Sequence, residues 1–293
     1  MELNGVPVEE TFAEAFTSTY TRLLITAANK KWAGITATAM TGYGTSMIGC
    51  SAEAGIEGYR SPAETVDGRP GYVVQIWASK KRMKDELLGR IGQCVLTSPT
   101  ASLWNYCEGE KLDVGHKMRF FGDGYEESKS LFGKEVTSIP IMLGEFLIEK
   151  ELGLDKGVAG GNFLILANSQ ASALMAAETA VEAIGAVEGV ITPFPGGICA
   201  SGSKVGSKKY KFMHATTNER YCPTLAERVE GSAVRGSRAV AEIVIDGVTE
   251  EKVREAMRVG ILAATRVDGV TGISAGNYGG TLGNVKIQLK ELF

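Results

Sequence analysis

A carboxylate inside an apolar strand is the residue of this sequence best placed to do chemistry. The segment 239–245 reads as a strand, and Glu242 stands in its middle. Because side chains alternate along a strand, Ile243 and Ile245 share one face while Glu242 lies on the other, beside valines. An ionised carboxylate there is costly unless it is paired, solvated or protonated. Glu242 is therefore either a proton-transfer group or a solvated carboxylate on an edge strand or an open sheet face, and periodicity alone favours the solvated carboxylate.

The other reactive residues form no recognised catalytic set. Only His116 and His214 offer an imidazole, so a nucleophile–histidine site has little support. The five cysteines are widely spaced and contain no C-x-x-C pair, which argues against zinc, iron–sulfur clusters and a disulfide framework. We therefore expect no metal site.

Two polar segments remain as candidate binding elements. The loop 201–211 carries Lys204, Ser207 and Lys208, but its spacing does not match a phosphate-binding loop. A generic anion site and a solvated basic loop are equally open for it. The glycine-rich segment 276–280, with Asn277 and Tyr278, reads equally as the wall of a cleft or as a tight turn.

Glycine amides, a buried carboxylic acid and basic loop residues together suit addition to a carbonyl group. Backbone amides at glycine turns can stabilise an oxyanion, and a glutamic acid of raised pKa can give or take a proton. The same set does not suit hydride transfer or metal-dependent hydrolysis.

Bulk properties limit the class of protein. The 293 residues suffice for one large or two medium domains, and 44% of them are hydrophobic. The net charge of −3 gives no basic excess for nucleic acid. No apolar run approaches the ~20 residues of a membrane span, and the first residues lack a signal-peptide pattern. We therefore expect a cytoplasmic protein.

The order of elements predicts an α+β fold with an internal duplication. Each half reads approximately as β-α-β-β-α-β, the ferredoxin-like split βαβ pattern, which suggests lobes at 1–145 and 146–293. Ser79 and Ser169 are predicted N-caps of helices 80–96 and 170–184. Strands are also predicted at 46–51 and 117–121, whereas 9–16 reads as a short helix or turn.

The duplication also predicts where Glu242 faces. Such a sheet carries helices on one side only, so Ile243 and Ile245 should face helices and Glu242 the uncovered side. Gln75, in the strand of the first half that precedes a helix, corresponds roughly to Glu242.

The sequence resembles the formylmethanofuran–tetrahydromethanopterin N-formyltransferase family along its whole length. The resemblance rests on motifs such as TGYGTS, RIGQCVLT and ISAGNYGG, which lie in order along the chain. All the matching segments are 4–6, 10–16, 41–46, 52–57, 67–71, 90–97, 193–198, 203–207 and 273–280.

The resemblance implies a reversible transfer of a formyl group from methanofuran to N5 of tetrahydromethanopterin, through a ternary complex and a tetrahedral intermediate. It implies no tightly bound cofactor or metal, and a cytoplasmic homotetramer, a dimer of dimers, with coenzymes held between subunits. It places the catalytic carboxylate on Glu242. With the patterns above, it suggests substrate contacts at Lys204, Ser207, Lys208, Gly196, Gly197, Asn277, Tyr278 and Phe121. The alternative is a non-catalytic or specialised paralogue that binds the pterin within a larger formyl-handling complex.

Overall fold

The computed structural model describes residues 1–293 and contains five α-helices and seventeen strands. The helices are α1 (Lys30–Thr41), α2 (Lys80–Arg90), α3 (Gly115–Met118), α4 (Gln170–Ile184) and α5 (Glu250–Ala264). The strands are β1 (Glu2–Leu3), β2 (Val6–Pro7), β3 (Phe12–Thr26), β4 (Glu53–Arg60), β5 (Gly71–Trp77), β6 (Ser102–Asn105), β7 (Glu110–Asp113), β8 (Glu127–Leu131), β9 (Lys134–Ile141), β10 (Gly144–Glu149), β11 (Glu151–Ala167), β12 (Val190–Ile191), β13 (Lys204–Val205), β14 (Ala215–Thr216), β15 (Ala239–Gly247), β16 (Val270–Ser274) and β17 (Val285–Gln288).

The chain divides into two compact units. One unit combines Met1–Thr17 with Gly157–Phe293, and the other is Ser18–Lys156. The predicted lobe boundary at 145 and 146 does not coincide with this division. The reason is that the first residues of β3 pair with β17, in register from Phe12 to Ala15, and so belong with the C-terminal part of the chain.

The unit that contains Glu242 has the predicted ferredoxin-like pairing. Its four strands lie in the order β12-β15-β11-β16 and are all antiparallel. Ser169 caps α4 as predicted, since its side chain accepts from the amide of Ser172, and Thr249 caps α5 in the same way. Ile243 and Ile245 lie in one apolar core with α4 and α5. The prediction that Ile243 and Ile245 face the helices is therefore confirmed.

The second unit repeats the same order. Four of its strands lie in the order β4-β5-β3-β6 with antiparallel pairing between neighbours, and Val74 and Ile76 lie in a core shared with α1 and α2. The α+β class with two split βαβ lobes is thus confirmed. The hairpins β8-β9 and β9-β10 extend this unit beyond the repeated motif.

Several local predictions differ from the structure. Residues 46–51 form turns rather than a strand, and 12–16 form strand rather than helix. The predicted strand 117–121 is instead α3 followed by a 3-10 turn, Arg119–Gly122. Helical geometry buries Met118 and leaves Phe120 and Phe121 exposed. Ser79 makes no side-chain capping bond, and α2 continues as a π-helical turn, Ile91–Val95.

Candidate active site

Glu242 is a buried residue in the middle of a strand whose edges are both covered. It pairs across the sheet with Leu164 of β11, and on its other side the Cys199 amide donates to its backbone carbonyl at 2.8 Å. Only 2% of the residue is exposed. The interpretation as a wet carboxylate on an edge strand is therefore wrong.

The carboxyl group of Glu242 receives two hydrogen bonds from one residue. The Ser203 amide donates to Oε2 at 2.5 Å, and the Ser203 hydroxyl donates to Oε1 at 2.6 Å. Burial raises the pKa of Glu242, and the two bonds from Ser203 only partly oppose that rise. No basic side chain contributes to this balance. The arrangement favours the protonated form of the Glu242 carboxyl group. When Glu242 loses its proton, the Ser203 amide and hydroxyl donate to the carboxylate that forms.

A small cavity opens beside the carboxyl group. Its volume of about 20 Å³ leaves room for one water molecule. Its walls are formed by β11, β15 and the loops that carry Cys199 and Cys222. The lining residues are Leu164, Cys199, Ala200, Ser201, Gly202, Asn218, Tyr221, Cys222, Val240 and Glu242. Burial, with a smaller contribution from nearby Glu242, raises the pKa of Cys199 to about 11. The thiol is thus kept protonated and is no nucleophile.

The glycine-rich segment after β16 passes directly against Glu242. A Cβ placed on Gly276 would lie 3.1 Å from Asn162 Oδ1 and 3.5 Å from Glu242 Oε1. Asn162 fixes this approach, because it accepts from the Gly276 amide at 2.6 Å and donates to the Gly276 carbonyl at 3.2 Å. No role for Asn162 was predicted from the sequence. The available signal was a polar side chain at the start of an apolar strand, comparable to Glu242 within another.

Tyr278 links this segment to the residue that holds Glu242. Its hydroxyl donates to the Ser203 carbonyl at 3.1 Å, and burial raises the pKa of Tyr278. Glu242, Ser203 and Tyr278 are therefore brought together, whereas Asn277 turns away and donates to the Thr11 hydroxyl at 3.0 Å.

The amides of the glycine-rich segment already have acceptors within the protein. The Gly279 amide donates to Asn277, and the amides of Tyr278 and Gly280, with those of Leu282 and Gly283 just beyond the segment, donate to Glu14. These bonded amides are therefore not free to stabilise an oxyanion. In the structure they fix the fold of the segment itself.

The predicted basic loop forms the short hairpin β13-β14, and its charges are paired. Lys204 and Lys208 both contact the Glu219 carboxylate, at 2.5 and 2.8 Å. Their hydrogen bonds lower the pKa of Glu219 to about 2. Ser207 accepts from the Tyr210 amide at 2.9 Å. An anionic ligand would have to compete with Glu219 for these lysines.

The remaining predicted residues are Gly196, Gly197 and Phe121. Gly197 has a φ of 80° and packs where a Cβ would meet Thr192 and Val181, while neighbouring Gly196 is open. Phe121 lies in the second unit with its ring against Gly92. No group of three or more His, Cys, Asp or Glu side chains is arranged to hold a metal ion. None of the helices is long and apolar enough to cross a membrane.

Comparisons with known proteins cover the whole chain. A model described as "Formylmethanofuran-tetrahydromethanopterin formyltransferase" matches residues 1–141, and one described as "FTR, proximal lobe" matches 144–292. Proteins named formylmethanofuran–tetrahydromethanopterin formyltransferase from Methanothermobacter thermautotrophicus and Methanocaldococcus jannaschii are 59% and 58% identical, with both chains covered completely.

Solved structures agree with these sequence matches. The enzyme of the same name from Methanosarcina barkeri is 52% identical with a TM-score of 0.95, and both chains are covered completely. A chain of the formyltransferase/hydrolase complex (FhcABCD) from Methylorubrum extorquens, solved with methylofuran, is 46% identical with a TM-score of 0.95 and covers 100% of this chain and 98% of that one. The chain described here belongs to the formylmethanofuran–tetrahydromethanopterin formyltransferase family.

Proposed function

We propose that this protein transfers a formyl group reversibly from formylmethanofuran to N5 of tetrahydromethanopterin, in the one-carbon metabolism of methanogenesis from CO2. Family membership over the full chain supports the reaction. The observation that carries the mechanism is the buried Glu242, held by Ser203 beside a small cavity. Methanofuran and tetrahydromethanopterin serve as coenzyme substrates, and no tightly bound cofactor is invoked.

The reaction needs a proton moved between two amines. N5 attacks the formamide carbon, the carbonyl π electrons move to oxygen, and a tetrahedral intermediate forms. When the bond from carbon to the methanofuran nitrogen breaks, that nitrogen takes a proton from Glu242, and the proton leaving N5 restores the acid. Ser203 supports the step because its amide and hydroxyl both donate to the carboxylate that Glu242 becomes. No net proton is consumed.

The substrate contacts are proposed at the eight residues predicted from the sequence. Tyr278 has the best support, since it lies one hydrogen bond from the residue that holds Glu242. Lys204 and Lys208 would bind the anionic parts of a coenzyme by exchanging Glu219 for the ligand. Gly196 offers open backbone at a turn, whereas Gly197, Ser207, Asn277 and Phe121 remain predictions without a contact that favours them.

Association of several chains is also part of the proposal. A cavity of about 20 Å³ is far too small for two coenzymes, because small-molecule sites measure roughly 300–1,000 Å³. We therefore propose that further copies complete the cleft in a homotetramer, a dimer of dimers. Exposed apolar side chains at hairpin turns would supply contacts, namely Phe132, Met142, Leu143, Tyr210, Phe212 and Met213. The cytoplasmic location remains a prediction from the sequence.

The decisive experiment mixes the purified chain with formylmethanofuran and tetrahydromethanopterin and follows the absorbance of the formylated pterin. Glu242→Gln should lower kcat by about 10²- to 10⁴-fold, the usual contribution of a general acid, with coenzyme affinity largely kept. Glu255→Gln is the matched control, because it neutralises an exposed carboxylate of α5 that pairs with Lys252. Unchanged turnover in Glu242→Gln would remove Glu242 from the mechanism.

The same assay separates the alternative function. A relative lies in a formyltransferase/hydrolase complex, which is the observation in favour of a pterin-binding subunit of a larger assembly. Transfer by the chain alone would exclude a purely non-catalytic role. Transfer only after partner proteins are added would favour the subunit.

A further inference from the structure

Glu14 is a second buried carboxylate in this unit, and no step of the proposed reaction uses it. It lies on β3, and only 1% of the residue is exposed. The family resemblance and the chemical patterns assign it no role. A buried carboxylate without a function would be costly, so its partners decide what it does.

Those partners are backbone amides of the glycine-rich segment 277–283. Oε2 accepts from the amides of Tyr278 at 2.7 Å and Gly280 at 2.9 Å. Oε1 accepts from the amides of Leu282 and Gly283, both at 2.5 Å. Four amides converging on one carboxylate form an anion-binding nest, here occupied by a side chain of the same protein.

The nest holds the carboxylate in its charged form. Burial alone would raise the pKa of Glu14, but the hydrogen bonds from the four amides outweigh it and leave the pKa below its ordinary value. The residue opposite Glu14 on β17 is Lys286, whose ammonium lies over the Phe12 ring at 5.7 Å. Glu14 is thus a buried carboxylate that is surrounded by backbone amides of this segment.

The wrapped shape depends on glycine. A Cβ on Gly283 would lie 2.4 Å from the Ala15 carbonyl oxygen and 2.7 Å from Glu14 Cγ, so no other residue allows this close approach. Gly279 and Gly280 have φ values of 71° and 73°, in the left-handed region that favours glycine. Gly279, Gly280 and Gly283 therefore allow the segment to contact Glu14.

From this nest a short chain of hydrogen bonds leads to Glu242. The backbone of Tyr278 is held by Glu14, and its side-chain hydroxyl donates to the Ser203 carbonyl. Ser203 in turn donates through its amide and its hydroxyl to Glu242. Displacement of the segment would thus withdraw Tyr278 from the residue that orients the catalytic acid.

We propose that Glu14 is a positioning residue, which folds the segment 277–283 and thereby sets Tyr278 and Ser203 against Glu242. This inference rests on the proposed formyl transfer by Glu242. Glu14 itself does not touch the reacting atoms. Its effect is expected mainly in kcat, because it changes the placement of a proton donor, and only to a smaller extent in KM, through the proposed substrate contact of Tyr278.

The test compares Glu14→Gln with Glu10→Gln. Glu14→Gln keeps the shape of the side chain but removes its charge. It also places the NH2 group of the glutamine, a donor, against backbone N–H groups that are themselves donors. The second neutralises an exposed carboxylate on the same stretch of chain, where Glu10 pairs with Lys290 at 2.8 Å. Glu14→Gln should lower kcat by about 10²-fold, the cost of a misplacement of about 1 Å at a reacting group, with KM changed less than about threefold. Glu10→Gln should change neither.

Two further measurements separate positioning from simple loss of stability. Amide hydrogen exchange of 278–283 should accelerate in Glu14→Gln and not in Glu10→Gln. In a double-mutant cycle with Tyr278→Phe, the two losses of kcat should fall well short of adding, because both act through one path. Additive losses, unchanged exchange, or faster exchange with normal kcat would each overturn the proposal. If the unaltered protein transfers no formyl group, the proposed function fails instead, and the exchange comparison still decides whether Glu14 folds the segment.

Discussion

Removal of one hydroxyl group should change the pH dependence of this protein in a defined direction. Ser203→Ala deletes the hydrogen bond from the serine hydroxyl to Glu242 Oε1 at 2.6 Å and leaves the bond from the Ser203 amide to Oε2. Both bonds favour the ionised carboxylate against the effect of burial, which is the larger influence and raises the pKa of Glu242. Loss of one of them should raise that pKa further.

The size of the shift follows from the strength of the lost bond. A hydrogen bond to a charged group contributes about 1.5–3 kcal/mol. Since one pKa unit corresponds to about 1.36 kcal/mol, loss of the bond should raise the pKa of Glu242 by about 1–2 units. The resulting carboxylate is also less stable, so the maximal kcat should fall by about 10-fold or more.

The assay is the pH dependence of kcat for formyl transfer with both coenzymes saturating. If protonated Glu242 donates to the departing amine, activity declines at high pH as Glu242 ionises. In Ser203→Ala this decline should move upward by about 1–2 pH units. Ser203→Thr, which keeps a hydroxyl, should stay near the unaltered profile. A decline that does not move, or the same shift in a Glu242→Gln background, would refute the assignment of the acid.

Two further predictions concern stability and assembly. Because the folded-state pKa of Glu242 is raised above its ordinary value near 4.5, protonated Glu242 stabilises the fold most at low pH, and this contribution is lost as pH rises toward the folded-state pKa. Glu242→Gln cannot ionise, so its melting temperature relative to the unaltered protein should increase with pH above about 4.5; a pH-independent difference in thermal unfolding would contradict the burial argument. Light scattering of the full chain should give the mass of four 31.1 kDa chains, whereas the mass of a single chain in the active preparation would contradict the proposed tetramer.

Periodicity predicted the orientation of Glu242 because successive side chains of a strand point to opposite faces of the sheet. Ile243 and Ile245 pack against helices, so the intervening carboxyl group must point away. The same rule misjudged the burial of Glu242. Exposure depends on what pairs with the strand, and the Cys199 backbone that covers its free side lies 43 residues earlier in a loop without regular pattern.

The role of Glu14 is beyond reach of sequence patterns for a different reason. Its partners are backbone amides, which every residue has, and they lie more than 260 positions later in the chain. The sequence shows only a cluster of glycines, which suggested free amides for an oxyanion. In the structure the amides of Gly280 and Gly283 donate to Glu14, so the glycines matter for the fold of the segment rather than for binding an oxyanion.

The two units of the duplicated fold show why only one of them is suited to proton transfer. Gln75 of β5, predicted from the sequence to correspond roughly to Glu242, donates to Glu57 at 2.7 Å and accepts from the Trp77 indole at 2.9 Å. Glu57 also pairs with the guanidinium groups of Arg22 and Arg60. The second unit thus offers a neutral amide and a carboxylate already bound to cations.

Neither group of that network matches the surroundings of Glu242. An amide side chain is not an acid, and the Glu57 carboxylate is ion-paired with Arg22 and Arg60. Glu242 has the opposite surroundings, with burial, two donors from Ser203 and no cation. The chemical difference between the two lobes therefore depends less on the carboxyl group itself, which both contain, than on the absence of a basic partner beside Glu242.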